Sequence, residues 1–525
     1  MRISGISTIV VAVALSAAAT TAGAATLSSS QSSDGRQQTA ARTSAPSPSA
    51  VVAAARAAAL AHSAQTGIGR DNQLVATDVM IDASGTQHVR FHQTYRGIPV
   101  TGGDLIVHLR SDSTYLDVTR AAHSAVSVKT TTAKLTAAQA KAKAARLVHG
   151  GTATTGALTV AVLDGKPTLA YQVGVAAPGG DIDAARTVTV DATTGAVLRS
   201  APVGDGFLTP QVLAKLRARG EHATPRGTVT GTSAARRGTA KPSASFPAPA
   251  VGTGKSIFSG TISLHTTQTA ASSYKLIDTT RGNSEVRDAK HVFSESANTF
   301  STAKALTDTD DVWGNGTTSD NASAAVDAQY GLTSTFDFYK NTFQRNGIEG
   351  DGAGTHGVVH VGRGWANAEW LDDCKCMIYG DGDGQTFTKP LVVLDVTGHE
   401  LTHGVVSATA GLETDVDSSG NQIGEPGSLN ESLADIFGSA SEFSARPTTG
   451  NYLMGEQLGL SQGFLRRLDH PSLDKLEGTV DYWSSNAPTT EVHAGSGVSS
   501  HAFYLLAEGS GQKTVNGVSY NSPTS

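Results

Sequence analysis

The segment Val396-Thr397-Gly398-His399-Glu400-Leu401-Thr402-His403 constrains this chain more than any other part of its sequence. Two histidines four positions apart lie on one face of a helix, because four steps of about 100° bring a side chain almost back to its starting direction. Both imidazoles can then bind one zinc ion, and the glutamate between them can take a proton from water beside the metal. A polar helical turn with one exposed histidine would show the same pattern. The sequence downstream is needed to distinguish such a turn from a zinc site.

A third metal ligand is available in the segment Ser428–Phe437. Its apolar residues form one helical stripe, while Glu431 and Asp435 are four positions apart on a different face. Glu431 could bind the zinc, which needs three protein ligands and an open position for water. Asp435 could then hold the outer nitrogen of a ligand histidine. The alternative is a helix start, in which Ser428 is the N-cap of a capping box and Glu431 is its N3 residue.

Several motifs together resemble the thermolysin-like neutral metallopeptidases, a family of gluzincins. The motifs are His399-Glu400-Leu401-Thr402-His403, Ala410-Gly411-Leu412, Leu429-Asn430-Glu431, Asp435-Ile436-Phe437-Gly438, Asp278–Asn283, Tyr379–Gln385 and Val492-His493 with Ser496-Gly497. The resemblance implies an α+β fold with a two-lobed catalytic domain. A β-rich N-terminal lobe with the central zinc helix would cover residues 246–410, and a helical C-terminal lobe residues 411–525.

The resemblance also implies a role for each matching residue. It assigns the catalytic zinc ion to His399, His403 and Glu431, the general base to Glu400, and oxyanion stabilisation to His493. It assigns the orientation of the ligand histidines to Asn430 and Asp435, and substrate binding to Asn367, Ala368 and Arg466.

A structural calcium ion is implied in the same way. The matching ligands are Asp395, Glu442, Asn451 and Glu456. Thermolysin has an aspartate at the position of Asn451, and the loss of that charge favours one calcium ion over an adjacent pair.

Three departures from the family pattern bear on activity. No tyrosine occurs between His403 and Glu431, and Thr414 takes the place of one that helps to bind the oxyanion; one such donor is worth roughly 3–4 kcal/mol. Pro488 replaces the aspartate that orients the catalytic histidine, which leaves Glu491 as a substitute. The chain ends 32 residues after His493, so we expect the helical lobe to be incomplete. These departures keep open the alternative of a catalytically impaired member, whose first half acts as an inhibitor or chaperone module.

The N-terminus has the features of a secretory signal peptide, which we assign to residues 1–24. A basic start at Met1-Arg2 precedes the apolar run Ile9–Leu15, which is too short to span a bilayer, and a small-residue cleavage site at Ala22-Gly23-Ala24. We therefore expect a secreted, extracellular protein that leaves the membrane once the signal is removed. Residues 25–65 are rich in Ala, Ser, Thr and Gln, a composition typical of a mobile low-complexity segment.

The region before the catalytic domain is similar to a propeptide. Residues 66–125 resemble the fungalysin/thermolysin-type propeptide, and residues 126–205 resemble a PepSY module, with a helix from Leu135 to Val148 and strands at Leu169–Val173 and Thr187–Asp191. Residues 206–245 are predicted to be a linker that contains the maturation site. The short motif Gly252-Thr253-Gly254-Lys255-Ser256 lacks the first glycine of a phosphate-binding loop, and we interpret it as linker too.

Charge divides the chain into two parts. Residues 1–244 carry 24 Lys and Arg against 13 Asp and Glu, a net of +11, whereas residues 245–525 carry 16 against 33, a net of −17. The basic charges are scattered and lack interleaved aromatic residues, which argues against nucleic acid. We expect the basic part to bind the acidic part as an intramolecular inhibitor and folding aid. The other expected partners are protein and peptide substrates, with the enzyme itself a monomer.

The cysteines of the chain are Cys374 and Cys376. Two sulfur atoms cannot complete a structural zinc site, so the sequence favours a tight disulfide, with two free thiols as the alternative.

Overall fold

The structure is a computed structural model. It describes residues 46–524 apart from 225–244, 294–298, 418–419, 516–517 and the single positions 83, 121, 123, 155, 164, 205 and 413. The predicted signal peptide and much of the predicted linker therefore lie outside the described residues. The elements named below belong to one unit of the chain, Ser47–Ser525.

The first part of the propeptide region is a helix on a curved antiparallel sheet. Its elements are α1 (Pro48–Ala61), α2 (Ser63–Thr66), β1 (Asn72–Ile81), β2 (Gln87–Tyr95), β3 (Ile98–Thr101), β4 (Leu105–Leu109) and β5 (Tyr115–Arg120). The prediction that residues 25–65 are mobile is wrong for α1. Its fully buried Val51, Ala55 and Ala59 recur every four residues and pack on the sheet. The alanine-rich composition had concealed this helical spacing.

The second part of the propeptide region continues the same sheet. Its elements are α3 (Ala137–Ala144), β6 (Thr152–Ala153), β7 (Ala157–Leu163), β8 (Lys166–Ala176), β9 (Arg186–Asp191) and β10 (Val197–Pro202). The main strand order is β10-β9-β8-β7-β3-β2-β4-β5, in which β3 and β7 pair in parallel and join the two parts. The predicted helix and strands of this region are confirmed, since α3 lies within the predicted range and β8 and β9 include the two predicted strands.

The predicted linker is partly folded. Helix α4 (Pro210–Ala218) begins at the N-cap Thr209, and its Val212, Leu213 and Leu216 are buried in the hydrophobic core of the catalytic region. The interpretation of residues 252–256 as linker is wrong, because Gly252–Lys255 belong to strand β11 (Ala248–Lys255). Extended glycines in a strand gave no periodic signal from which the sequence could identify it.

The N-terminal catalytic lobe contains two sheets and a long helix. Its further elements are β12 (Thr261–Ala270), β13 (Ser273–Lys275), β14 (Ile277–Asp278), β15 (Ser284–Asp288), α5 (Thr299–Thr302), β16 (Lys304–Ala305), β17 (Thr307–Asp308), β18 (Val312–Trp313), α6 (Asn321–Phe343), β19 (His356–Val359), β20 (Ala368–Leu371) and β21 (Cys376–Tyr379). One sheet has the order β17-β13-β12-β11-β18 and the other β14-β15-β19-β21-β20, with β16 beside β15. Strand β20 is therefore at the edge of its sheet.

Three helices and three small hairpins complete the chain. They are α7 (Leu394–Ala408), β22 (Asp415–Val416), β23 (Gln422–Ile423), α8 (Glu425–Ala445), β24 (Leu453–Met454), β25 (Arg466–Arg467), α9 (Val492–Glu508), β26 (Gly511–Val515) and β27 (Val518–Ser522). Helix α8 begins at Glu425, so Ser428 lies inside its first turn and the capping-box alternative is wrong. The predicted disulfide between Cys374 and Cys376 is confirmed. Within the described ranges, no helix combines the length and apolarity needed to cross a membrane.

A buried carboxylate ties the N-terminal lobe to its long helix. Asp327 of α6 is almost fully buried and accepts hydrogen bonds from the Ser256 hydroxyl (2.6 Å) and from the backbone N–H groups of Ile257 (2.6 Å) and Phe258 (3.3 Å). Two of these donors are backbone groups with no freedom to rotate toward another acceptor.

Replacing Asp327 with alanine is expected to lower the free energy of unfolding by about 2–4 kcal/mol, because it leaves buried donors without an acceptor. Asp337→Ala is the matched control on the same helix. Its carboxylate is 40% exposed and pairs with Arg281 at 2.7 Å, so it should cost less than about 1 kcal/mol. Chemical denaturation of both variants measures the difference, and equal costs would contradict the assignment.

Candidate metal centre and substrate cleft

Helix α7 brings the two histidines of the motif together. His399 is fully buried and His403 nearly so, and their Nε2 atoms are 3.1 Å apart. The rings meet edge to face with centroids 4.7 Å apart. Both nitrogens thus converge on one point, as expected from the four-residue spacing on a helix.

Helix α8 supplies a carboxylate to the same point. Glu431 Oε2 lies 3.4 Å from Nε2 of His399, and its Oε1 lies 3.6 Å from Nε2 of His403. Both oxygens are buried and neither accepts a hydrogen bond in good geometry. Burial alone would raise the pKa of Glu431, but the nearby His493, His403 and His399 hold that pKa well below its usual value.

These three side chains fit a zinc ion. Among the residues that the structure describes, they form a group whose ligand atoms all lie within 4.8 Å of one another. A buried carboxylate that lacks hydrogen-bond donors is costly unless a cation compensates it. Two imidazole nitrogens and one carboxylate oxygen are a usual donor set for catalytic zinc.

The outer nitrogens of both histidines are held by α8. Nδ1 of His399 is 2.8 Å from Oδ1 of Asp435, and Nδ1 of His403 is 3.1 Å from Oδ1 of Asn430. Burial opposes ionisation of Asp435, but Arg466 and His399 lower its pKa below the usual value. An ionised carboxylate can only accept, so it favours the tautomer of His399 with the proton on Nδ1, which leaves the lone pair of Nε2 available to a metal ion.

The side chain of Glu400, a residue of α7, lies against the edge strand β20. Its side chain is fully buried, and its Oε2 accepts a hydrogen bond of 2.9 Å from the backbone N–H of Trp370. This contact holds the carboxylate beside the strand that carries Ala368.

A third histidine approaches from α9. Nε2 of His493 is 3.4 Å from Oε2 of Glu431, and its Nδ1 is 2.8 Å from Oε1 of Glu491. Glu491 is also the N-cap of α9, where it accepts from the N–H groups of His493 and Ala494. Burial would lower the pKa of His493, but Glu431 and Glu491 raise it well above its usual value. The structure therefore places Glu491, and not the position of Pro488, against the histidine.

Arg466 is buried in an ion-pair network with Asp435 and Glu477. Its guanidinium binds Asp435 with Nε at 3.0 Å from Oδ2 and Nη2 at 2.9 Å from Oδ1, and its Nη1 is 3.0 Å from Oε1 of Glu477. Burial raises the pKa of Glu477 to about 7, although Arg466 opposes the shift. No motif in the sequence singled out Glu477.

The predicted substrate-binding residues contact the propeptide region itself. The backbone carbonyl of Ala368 accepts from the N–H of Phe207 at 3.1 Å. The side chain of Asn367 accepts from the N–H of Leu208 and donates to its carbonyl, both at 2.9 Å. Arg466 Nη1 donates to the carbonyl of Phe207 at 3.4 Å. Asn367, Ala368 and Arg466 thus line one cleft, and no motif in the sequence indicated that residues 207–208 fill it.

Thr414, at the position of the missing tyrosine, lies at the same site. It lines a cavity together with His403 and Asn430. Its backbone carbonyl accepts a hydrogen bond from Arg199 of the propeptide region.

The predicted calcium ligands form a second, separate cluster. Asp395, Glu442 and Glu456 are buried, and Asn451 donates from Nδ2 to Oε1 of Glu456 at 3.4 Å. Burial, together with the charge of Asp395, raises the pKa of Glu442 to about 8 and that of Glu456 to about 9. One oxygen of each glutamate is buried without a hydrogen-bond partner. Calcium prefers oxygen-rich, negatively charged surroundings, but among the described residues these carboxylates do not form a group whose ligand atoms all lie within 4.8 Å of one another, so the calcium site stays a prediction.

Family models match four parts of the chain. They are the Thermolysin metallopeptidase, catalytic domain (residues 251–407), the Thermolysin metallopeptidase, alpha-helical domain (421–524), the Fungalysin/Thermolysin Propeptide Motif (72–122) and the Peptidase propeptide and YPEB domain (134–201). The predicted family, the α+β class and the two-lobed catalytic fold behind a propeptide are confirmed.

Curated relatives match over long stretches. The transglutaminase-activating metalloprotease of Streptomyces mobaraensis is 36% identical over 470 residues, which are 87% of this chain and 53% of that protein. Bacillolysin of Brevibacillus brevis is 37% identical over 266 residues, 49% of this chain and 44% of that protein. Thermolysin of Alicyclobacillus acidocaldarius subsp. acidocaldarius is 38% identical over 193 residues, 35% of this chain and 33% of that protein. The chain spans about half of the length of the first relative and less of the other two.

Among solved structures, the precursor of protealysin, a metalloproteinase from Serratia proteamaculans, is 29% identical with a TM-score of 0.34, covering 43% of this chain and 68% of that one. The sequence matches and the geometry of α7 and α8 agree. This chain belongs to the thermolysin family of metallopeptidases.

Proposed function

We propose that this chain is the precursor of a secreted zinc endopeptidase, which hydrolyses internal peptide bonds of proteins with Glu400 as general base. The observation that carries the proposal is the convergence of His399, His403 and Glu431, whose buried oxygens accept no hydrogen bond in good geometry, with Glu400 beside them. The signal-like residues 1–24 support secretion.

The residues around this point divide the chemical work. A bound zinc ion would polarise the scissile carbonyl and bring the pKa of a water to about 7. Glu400 would accept the proton of that water and pass it to the leaving amine, because its carboxylate is buried beside β20, the edge strand to which a peptide substrate would add. His493, kept in place by Glu491, would donate from Nε2 to the oxygen of the carbonyl under attack.

Other residues position the substrate and the ligands. Asp435 and Asn430 would fix the ring orientations of His399 and His403. A peptide would add to the edge of β20 through main-chain hydrogen bonds, with its carbonyl held by Arg466. We further propose that the propeptide region is an intramolecular inhibitor, because residues 207–208 fill the cleft, and that the mature enzyme is a monomer.

A catalytically impaired member of the family is the second candidate, and the absence of a tyrosine at Thr414 favours it. Hydrolysis of casein with and without a zinc chelator separates the two candidates. Chelator-sensitive hydrolysis supports the enzyme, and its absence in a zinc-loaded, propeptide-free sample supports the impaired protein.

Glu400→Gln is expected to keep its zinc but to lose at least about 100-fold in kcat, because it removes the proton acceptor and leaves the ligands in place. Glu431→Ala should instead lower the bound zinc, because it removes a ligand. Glu425→Gln is the control, since this exposed residue lies on the same helix as Glu431. Zinc analysis and peptide turnover check all three variants, and near-normal turnover of Glu400→Gln would refute the mechanism.

Glu491→Gln is expected to lower kcat by about 10-fold with KM and zinc content little changed. Its carboxylate positions His493 without reaching the substrate, so the loss should be smaller than the 10²- to 10³-fold typical of a lost oxyanion donor, which we expect for His493→Ala. Steady-state kinetics of both variants provide the comparison. A Glu491→Gln enzyme as impaired as His493→Ala would contradict a positioning role.

Removing calcium is expected to lower stability before it affects chemistry. Asp395 is one helical turn before His399 on α7, so the calcium cluster supports the zinc helix from outside the zinc site. A ligand bound only by the folded protein adds about 2.7 kcal/mol at a hundredfold excess over its Kd. Thermal unfolding with calcium and with a calcium-selective chelator measures the effect. An unchanged midpoint would rule out the calcium assignment.

A further inference from the structure

Residues 206–208 pair with the edge strand of the cleft in one defined register. Gly206 and Glu369 form an antiparallel bridge. The next residue, Phe207, donates its N–H to the carbonyl of Ala368 at 3.1 Å. This segment is thus an added strand on β20, bound through its backbone as an extended peptide would be.

The side chain of Phe207 fills a pocket next to the candidate metal centre. It is fully buried, and its ring centroid lies 5.3 Å from that of His399 in an edge-to-face arrangement. The guanidinium of Arg466 lies 4.9 Å from the same ring and also binds the backbone carbonyl of Phe207. The segment is therefore anchored by one aromatic side chain.

The residue before it, Gly206, borders a cavity beside His493. Gly206 lines a small cavity with Glu491 and His493. Gly206 thus borders the cavity beside His493, while Phe207 packs against His399. The peptide bond between Gly206 and Phe207 joins these two contacts.

Glycines permit this close approach. A Cβ atom on Gly206 would lie 2.5 Å from Nδ2 of Asn367, and one on Gly204 would overlap the carboxylate of Glu369. Side chains at these positions would push the segment away from β20.

The chain after Phe207 is held in place by contacts that do not involve the peptide bond between Gly206 and Phe207. Val212, Leu213 and Leu216 of α4 are buried against the catalytic region, and Arg217 pairs with Asp383 at 3.0 Å. Glu221 accepts from the N–H of Ser461 at 2.6 Å. The bond between Gly206 and Phe207 is thus fixed on both sides, by the strand pairing and by α4.

We propose that Gly206–Phe207 is the first bond that the enzyme hydrolyses in its own chain. In this step the oxygen of a water adds to the carbonyl carbon of Gly206, the bond from that carbon to the nitrogen of Phe207 breaks, and one water proton passes through Glu400 to that nitrogen. The second water proton leaves the new carboxyl group of Gly206 and protonates the amine, so the products are a carboxylate at Gly206 and an ammonium group at the new amino terminus, Phe207. The proposal rests on the proposed endopeptidase function.

The test follows the zinc-loaded full-length precursor over time by mass spectrometry and N-terminal sequencing. A fragment that begins at Phe207 should appear first. Its first-order rate constant should not depend on protein concentration, because the bond lies in the cleft of its own molecule. The Glu400→Gln precursor should stay intact at this bond. A first cut elsewhere, or an apparent rate constant that rises in proportion to protein concentration, would overturn the proposal.

Variants of the anchoring residue sharpen the test. Phe207→Ala should slow the cut at least about 10-fold, because it empties the buried pocket, whereas Phe207→Leu should retain most of the rate. Phe246→Ala is the control, since this aromatic residue is 42% exposed and lies outside the cleft; it should change nothing. Equal rates for Phe207→Ala and the wild-type chain would overturn the proposal.

A parallel assay separates the two proposals. Each sample is also given an internally quenched peptide, before and after an added protease has removed the propeptide. Hydrolysis of the peptide without a fragment that begins at Phe207 would overturn the cleavage site and leave the endopeptidase function standing. If the enzyme hydrolysed neither the quenched peptide nor the Gly206–Phe207 bond, both the endopeptidase function and the cleavage site would be overturned.

Discussion

The close packing of α7 on α8 is the constraint on which the rest of the site depends. A Cβ atom on Gly398 would lie 3.0 Å from the Cα of Gly438, and one on Gly438 would lie 2.8 Å from the backbone oxygen of Asp395. The two backbones therefore touch, and no larger residue fits at either position without separating the helices. At this spacing Glu431 reaches both histidines and Asp435 reaches the outer nitrogen of His399.

The described contacts of the propeptide region with the catalytic region are of more than one kind. The net charges of +11 and −17 predicted attraction over the whole contact. The contact has the ion pair between Arg217, which is 47% exposed, and Asp383, and exposed pairs contribute little. The buried side chains of Phe207, Leu213 and Leu216 and the strand pairing on β20 remove apolar surface and satisfy backbone groups. Apolar contact and hydrogen bonding therefore contribute to this interface within the described residues, and the long-range attraction of the two net charges stays a prediction.

The site compensates for one departure from the family pattern. Glu491, two positions before His493, reaches it from the N-cap of the same helix and makes the contact expected from the position of Pro488. The buried network of Asp435, Arg466 and Glu477 joins the metal centre to the cleft, because Arg466 contacts both Asp435 and the backbone of Phe207. A change at Glu477 would therefore reach His399 through two intervening side chains.

The sequence by itself determined the features that depend on local geometry. The spacing of His399 and His403 sets their common face, and the spacing of Glu431 and Asp435 does the same on α8, because helical periodicity is fixed over four residues. Helix α1 was missed because alanine-rich composition hides a buried face. Only the tertiary structure decided that Glu477 joins the network and that Phe207 fills the cleft. These contacts depend on how distant elements pack, and no local pattern in the sequence encodes that packing.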